Sequence, residues 1–210
     1  TPAIVDLVAA GRRFAPHFHL PLQHGSDRVL QAMRRPYTVD YYRSLVASIR
    51  TRLPNAAIGS DLVVGFPGET AADAEATVSF LRASPLTYLH VFPYSDRPGT
   101  DATQLPGKVP KPEIRERGRA VRAAGADLSA RFRASQVGTI RSALTLKNDE
   151  GMLAVTDNYL KVHLATSHLG NRRVRVRVRG GGERVTGEVV PEAAAVNERA
   201  AALQARLIGS

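Results

Sequence analysis

Three short segments of the chain end in residues that could hold a ligand. They close on Gln23-His24-Gly25-Ser26, on Gly65-Phe66-Pro67-Gly68-Glu69 and on Phe92-Pro93-Tyr94-Ser95. Each segment follows a largely apolar run, which is typical of a β-strand. Because ligands of parallel α/β folds bind at the carboxyl ends of the strands, the three segments predict one shared binding site.

The first two segments offer different chemistry to that predicted site. Gln23 and Ser26 could bind a carboxylate or a ribose, although Ser26 could instead only cap the helix that follows. Gly65 and Gly68 let the backbone approach either a ligand or the next helix closely. Glu69 also suits the first turn of that helix, so both interpretations of the glycine-rich turn remain open.

Ionisable side chains also lie within the predicted strands. Asp61 is surrounded by apolar residues, where a carboxylate needs a partner; it could line a barrel interior or form a structural ion pair. His17 and His19 share one face of the first strand, and His24 follows. A metal site needs three ligands in fixed geometry, whereas such histidines more often form structural hydrogen bonds. We therefore predict no metal ligand in this chain, and no catalytic nucleophile.

Strands and helices alternate through the first half of the chain and must position these residues. We predict strands at residues 17–22, 57–66 and 87–95, helices before and between them, and a long Arg-rich and Ala-rich helix at residues 113–134. This order predicts parallel strands with right-handed crossovers. Apolar residues predict the buried face of two of the helices: Tyr41, Leu45, Ile49 and Leu53 in one, and Ala74, Val78 and Leu81 in the other.

The pattern changes after residue 134. Five short alternating runs lie between Val137 and Val190 and are separated by glycines. Such spacing indicates a small all-β barrel or sandwich. We therefore divide the chain into an α/β part at residues 1–134, a β-domain at residues 135–192 and an Ala-rich tail at residues 193–210.

The positive charge of the chain is concentrated in its second half. The net charge is +10, with ten basic and nine acidic residues up to Gly107 but seventeen basic and eight acidic residues from Lys108 to Val190. Arginines alternate with valines in RVRVRVR, which on a strand places Arg173, Arg175, Arg177 and Arg179 on one face. This stripe favours a polyanionic partner, although a solvated or aggregation-resistant strand surface would look the same.

Composition excludes several classes of protein. Cysteine is absent, so the chain itself offers no disulfide, no thiolate nucleophile and no cysteine ligand for zinc or an iron–sulfur cluster. Neither a long apolar span nor a signal peptide is present, which favours a cytoplasmic protein without a membrane partner. The chain begins with Thr1 rather than Met, and we expect it to be a piece of a longer protein.

Three linked motifs resemble the methylthiotransferases of the radical S-adenosylmethionine superfamily. They are LPLQHGSDRVLQAMRRPYT at residues 20–38, SDLVVGFPGET at residues 60–70 and HVFPYSDRPGT at residues 90–100. The resemblance implies an α/β fold that forms the C-terminal part of a radical-SAM partial TIM barrel. Residues 138–190 resemble the TRAM domain, a small RNA-binding β-barrel.

The resemblance also implies cofactors and site residues. S-adenosylmethionine would be bound near residues contributed by all three strand ends: Gln23, Ser26, Asp61, Gly65, Gly68, Glu69, Phe92 and Tyr94. RNA would contact cations of the β-domain: Arg173, Arg175, Arg177, Arg179 and Lys161. The family also uses two 4Fe–4S clusters held by cysteines, which would lie outside this chain, so we expect the chain alone to be inactive.

Within the family, two further segments point to one branch. LHVFPYS at residues 89–95 and TDNYLKV at residues 156–162 most resemble enzymes that methylthiolate threonylcarbamoyladenosine at position 37 of tRNA. The implied partner is tRNA, and we expect none of membrane or DNA. Two alternatives remain: a methylthiotransferase for an aspartate of a ribosomal protein, and a non-catalytic RNA-binding protein that keeps a degenerate half-barrel.

Overall fold

A computed structural model describes residues 2–11, 14–148, 151–165 and 170–191 of the chain. The chain divides into two compact units, residues 1–131 and residues 132–210. Within the described ranges, no helix has both the length and the apolarity needed to cross a membrane. The predicted tail at residues 193–210 lies outside the described residues.

The first unit is a three-stranded parallel sheet with helices. Its strands are β1 (His17–His19), β2 (Ala57–Val64) and β3 (Tyr88–Pro93), in the order β1-β2-β3. Its helices are α1 (Pro2–Ala10), α2 (Asp27–Ala32), α3 (Val39–Arg52) and α4 (Ala71–Ala83), and α5 (Lys111–Ser135) begins in it. A short 3₁₀ helix spans Asp101–Gln104. The predicted alternation of parallel strands and helices is confirmed.

Capping residues mark where two of the helices begin. Thr38 accepts a hydrogen bond from the Tyr41 backbone N–H at the start of α3. At the start of α4, Thr70 and Asp73 form a reciprocal capping box. Because each cap supplies acceptors for backbone N–H groups that have no partner inside the helix, the boundary is fixed locally.

The predicted apolar face of α3 is only partly buried: Ile49 is buried, and Leu45 and Leu53 pack partly buried against the core. Its buried residues are Val39, Tyr42, Val46 and Ile49, whereas Tyr41 is 58% exposed. A spacing of four residues advances about 400° around a helix at about 100° per residue, so a strict repeat of four drifts off one face. Alternating steps of three and four residues keep side chains on one face, which is the pattern that the structure buries.

The second unit contains a closed five-stranded barrel. Its strands are β4 (Ile140–Asn148), β5 (Gly151–Thr156), β6 (Lys161–Leu164), β7 (Arg173–Gly180) and β8 (Thr186–Val190), in the order β4-β5-β6-β8-β7. Antiparallel pairing of β4 with β7 closes the barrel. Val176 and Val178 are fully buried in its core, as the alternation of arginine and valine predicted.

Candidate functional site

A cavity of about 310 Å³ lies at the carboxyl ends of β2 and β3 in the first unit. Its lining includes Gln23, Val63, Phe66 and Tyr94, so all three predicted segments contribute to its surroundings. Phe66 and Tyr94 pack edge to face with their ring centroids 5.5 Å apart. The wall therefore combines aromatic and apolar side chains with the Gln23 amide and with charged residues, among which Arg34 pairs with Asp101.

Gln23 is held at this cavity by its own backbone. Its N–H donates to Asp61 O at 2.8 Å, and its carbonyl accepts from Val63 N–H at 2.8 Å, which continues the parallel ladder beyond β1. Its φ of 72° lies in the left-handed region, which is unfavourable for a residue other than glycine. Such a conformation persists only where the surrounding structure enforces it, and it is often found at functional sites.

The glycine-rich turn after β2 needs both of its glycines, for different reasons. Gly65 and Gly68 have φ values of 80° and 81°. A Cβ at Gly65 would lie 2.4 Å from Ile114 Cγ1 on α5, whereas a Cβ at Gly68 would meet no atom within 4 Å. Gly65 therefore permits close packing of α5, and Gly68 leaves open space beside the turn.

Glu69 holds this turn from inside the protein. Its Oε2 accepts from the backbone N–H groups of Gly65 at 2.6 Å and Phe66 at 3.2 Å, and Arg117 donates to its Oε1 at 3.1 Å. Burial opposes ionisation, but His24, the Gly65 N–H and Arg117 outweigh it and hold the pKa of Glu69 below its ordinary value. Because the carboxylate is buried and its hydrogen bonds run to the turn and to Arg117, it stabilises the conformation of the turn.

His24 completes the contacts of Glu69. Its Nδ1 accepts from the Ser26 backbone N–H at 3.1 Å, so its proton lies on Nε2, which is 3.5 Å from Glu69 Oε2. The ring is 1% exposed. A structural role for His24, the more common role for such histidines, accounts for this position.

Ser26 belongs to a second network that fixes the other end of the turn. Its hydroxyl donates to Asp73 Oδ1 at 2.6 Å and makes no capping bond to α2. Arg28 donates to Asp73 and also to Gly68 O at 2.7 Å. Burial opposes ionisation of Asp73, but bonds from Arg28, Ser26 and Thr70 hold the pKa of this carboxyl well below its ordinary value. Because the Ser26 hydroxyl donates its proton to Asp73, it could only accept a hydrogen bond from a ligand.

Asp61 and Phe92 lie on the face of the sheet that is turned away from the core, and the cavity lining does not include them. Asp61 contacts the imidazoles of His19 and His90. Phe92 is 50% exposed and packs edge to face against His90. The geometry thus gives Asp61 ionisable neighbours, as an aspartate inside a strand requires, and the cavity lining does not include its side chain.

The cations that the sequence predicts to contact RNA lie on two strands of the barrel in the second unit. Arg173 and Arg179 are exposed, and Arg175 and Arg177 are partly buried. Arg179 pairs with Glu188 on β8. Lys161 is exposed and shares a row of strand partners with Arg173, through Val155 and Leu144. In the other direction around the closed barrel, only β8 separates β6 from β7, so Lys161 lies apart from the arginines of β7 rather than beside them.

The sequence interpretation missed three residues of these networks: Asp73, His90 and Arg117. Asp73 carried a local signal, because an acidic residue three positions after Thr70 predicts a capping box. His90 alternates with Phe92 on β3, so strand periodicity could have placed it near Asp61. Arg117 gave no local signal, since its partner Glu69 is distant in the chain.

The residues present fit one of the implied cofactors and not the other. A cavity lined by two aromatic rings, one amide and charged side chains, beside a turn with no side chain at Gly68, suits a nucleoside such as that of S-adenosylmethionine. Iron–sulfur clusters require cysteine or comparable ligands, and the sequence contains no cysteine.

Comparisons with known proteins agree with these observations. The family model for the Radical SAM superfamily matches residues 2–81. The chain is 36% identical over 159 residues to threonylcarbamoyladenosine tRNA methylthiotransferase MtaB of Aquifex aeolicus, which covers 76% of this chain and 38% of that protein.

Other relatives are named for a different substrate, dimethylallyladenosine. The chain is 44% identical over 117 residues to tRNA-2-methylthio-N(6)-dimethylallyladenosine synthase of Mycolicibacterium gilvum, covering 56% of this chain and 23% of that protein. It is 46% identical over 114 residues to the enzyme of the same name in Mycobacterium leprae, which covers 54% of this chain and 22% of that protein. The chain thus spans well under half the length of these relatives. The matches confirm the resemblance carried by the three motifs: this chain is a relative of the radical S-adenosylmethionine tRNA methylthiotransferases.

Proposed function

We propose that this chain is the C-terminal part of an enzyme that adds a methylthio group to C2 of N6-threonylcarbamoyladenosine at position 37 of tRNA. The extent of similarity to the Aquifex aeolicus enzyme carries the proposal. Its 159 aligned residues exceed the 131 residues of the first unit, so the alignment reaches into the barrel. The higher identity to the dimethylallyladenosine enzymes, 44% over 117 residues, makes dimethylallyladenosine the second candidate substrate.

In this proposal, the cavity beside Gln23 binds S-adenosylmethionine. The Gln23 amide offers a donor and an acceptor to the nucleoside, and the rings of Phe66 and Tyr94 contact the purine. Glu69 and Ser26 position the turn without contacting the ligand directly. When bound, the cofactor supplies the radical and methyl-transfer chemistry, and the protein binds, orients and shields it.

The barrel has the second role in this proposal, as a TRAM-like surface that binds tRNA. Arg173, Arg175, Arg177, Arg179 and Lys161 would contact phosphates. Exposed and partly buried cations that are spaced along β7, with a further one on β6, suit the repeating charges of an RNA backbone. Phosphate contacts alone carry no sequence information, so the barrel would increase affinity while the first unit recognises the modified base.

The substrate proposal is tested with the full-length protein that contains this chain. It is expressed in a bacterial strain without its own threonylcarbamoyladenosine methylthiotransferase, and tRNA nucleosides are identified by mass spectrometry. We expect 2-methylthio-threonylcarbamoyladenosine to appear. Gln23→Ala should reduce this product, whereas Gln31→Ala, an exposed glutamine of α2, should not.

Other outcomes of this test would favour the alternatives. A methylthio group on dimethylallyladenosine alone would support the second candidate. Modification of a ribosomal-protein aspartate without tRNA modification would replace the proposed substrate by a protein. No modification at all, together with retained binding of tRNA, would support a non-catalytic RNA-binding protein.

Binding of tRNA by the barrel is tested separately with the chain of 210 residues across a salt series. Each phosphate contact contributes about 0.9 to the slope of log affinity against log salt. The double change Arg175→Gln and Arg177→Gln should therefore lower the slope by about 2. The matched double change Arg43→Gln and Arg52→Gln in the first unit should leave it unchanged.

A further inference from the structure

Two histidines and an aspartate meet on the face of the sheet that is turned away from the core. Each strand of the first unit supplies one of them: His19 on β1, Asp61 on β2 and His90 on β3. Asp61 Oδ1 lies 3.0 Å from His19 Nε2 and 3.2 Å from His90 Nδ1. One donor atom of each residue lies within 4.8 Å of those of the other two. Three potential metal ligands thus converge on one point.

The backbone holds these three positions in place. Asp61 and His90 are direct partners in the β2–β3 ladder, and His19 is the partner of Gly59, two residues before Asp61. The ladder hydrogen bonds fix the Cα positions of all three ligands. The convergence therefore does not depend on long, mobile side chains or on a loop.

A second layer of side chains orients His19. Tyr88 Oη lies 3.3 Å from His19 Nδ1 and 2.9 Å from His17 Nε2. If His19 Nδ1–H donates to Tyr88 and the Tyr88 hydroxyl donates to His17, then His19 Nε2 directs its lone pair towards Asp61.

Gly59 makes room for this second layer. A Cβ at Gly59 would lie 1.9 Å from Cζ of the Tyr88 ring. The absence of a side chain in the middle of β2 therefore seats Tyr88 across the strand, between His17 and His19. Hydrogen bonding to the second nitrogen of a metal-binding histidine is the usual way in which proteins orient such a ligand.

We propose that His19, Asp61 and His90 form a binding site for one divalent transition-metal ion of the zinc class. Two imidazole nitrogens and one carboxylate oxygen suit Zn²⁺ and its neighbours in the first transition row. Donor atoms in a tetrahedral zinc site lie about 3.3 Å apart at bond lengths of about 2.0–2.1 Å. The separations of 3.0 Å and 3.2 Å from Asp61 Oδ1 differ from this by a few tenths of an ångström.

Three protein ligands leave at least one coordination position open. The side chain of His90 is 56% exposed and that of His19 is 34% exposed, so water or another ligand can reach the ion. The site does not depend on the proposed activity or on iron–sulfur clusters, because all of its ligands belong to this chain. In this proposal, Asp61 coordinates a metal ion, whereas the family resemblance implied that it contacts S-adenosylmethionine.

The untagged chain of 210 residues tests this proposal directly. After removal of metals by a chelator, Co²⁺ is titrated and followed by visible absorption, and Zn²⁺ affinity is measured by competition with a coloured chelator. We expect one equivalent to bind. Asp61→Asn and His90→Gln should each weaken binding at least 100-fold, and Tyr88→Phe should weaken it about 10-fold to 100-fold.

Two features of the design keep the test decisive. His163→Gln, in the barrel, is the matched control and should bind Co²⁺ with unchanged affinity. Because His90 is exposed, His90→Gln should preserve the fold, which circular dichroism checks. Absence of one-equivalent binding, or binding that survives both His90→Gln and Asp61→Asn, would overturn the proposal.

Discussion

Replacing Glu69 by glutamine tests whether its buried carboxylate holds the glycine-rich turn. The side chain of Glu69 is fully buried and that of Arg117 is 12% exposed, so the pair is well shielded from water. Removing one partner of a buried ion pair costs about 3–5 kcal/mol because the other charge stays buried. The glutamine side chain keeps an oxygen that can accept from the Gly65 N–H, so for Glu69→Gln we expect a loss of about 3 kcal/mol.

Urea unfolding followed by tyrosine fluorescence measures this loss in the first unit. Five of the six tyrosines lie in residues 1–131, and the sequence has no tryptophan. With a dependence on urea of about 1.5 kcal/mol per molar, the midpoint should fall by about 2 M. Glu69→Ala should cost more, since it also leaves the N–H groups of Gly65 and Phe66 without their acceptor.

Glu75→Gln provides the control for charge. Glu75 is an exposed acid on α4, and its replacement should change stability by less than about 0.5 kcal/mol. If Glu69→Gln and Glu75→Gln shift the urea midpoint equally, the buried carboxylate does not hold the turn and the reasoning is refuted.

Three further predictions use the same unfolding assay or a close variant of it. Gly65→Ala should lower the free energy of unfolding by more than about 3 kcal/mol, because the new Cβ overlaps with α5 and the backbone is left-handed. Gly68 has nearly the same φ but open space around it, so Gly68→Ala should lower the free energy of unfolding by only about 1–2 kcal/mol. The lowered pKa of Asp73 stabilises the fold fully above about pH 4, and this stability is lost as the pH falls towards the lower pKa. Asp73→Asn should therefore flatten the fall in stability between about pH 4 and pH 2, and equal slopes in both proteins would contradict this. Asn158→Ala removes a buried hydrogen bond of 2.9 Å to Gln136, so it should destabilise the barrel by at least about 2 kcal/mol. Hydrogen exchange of the barrel strands measures this loss, and unchanged exchange would count against a structural role for this hydrogen bond.

The strand-end motifs and the alternation of the barrel strands could be predicted from the sequence. Both signals are local. The glycines at 65 and 68 mark a turn, and the valines between arginines of β7 mark a buried face, because successive side chains of a strand point to opposite sides. The parallel order of β1, β2 and β3 followed from the helices between them, since parallel strands need long connections.

The buried faces of the helices needed the tertiary structure. In α4 the structure buries Asp73 and Thr77, which are polar, alongside Phe80 and Leu81. Asp73 is buried because Ser26, Arg28 and Thr70 supply its hydrogen bonds, which composition cannot show. In such cases burial depends on partners that are distant in the chain.

The sequence by itself determined which residue types stand at the strand ends, and so the family that the chain resembles. Only the tertiary structure decided which of them face a cavity and which hold the protein together. Glu69 and Ser26 are themselves predicted ligand contacts, yet their side chains form hydrogen bonds with Arg117 and Asp73. Likewise, the register of three strands brings His19 to Asp61 and His90. Spacing along a chain fixes local geometry, whereas convergence of distant side chains depends on strand register and packing.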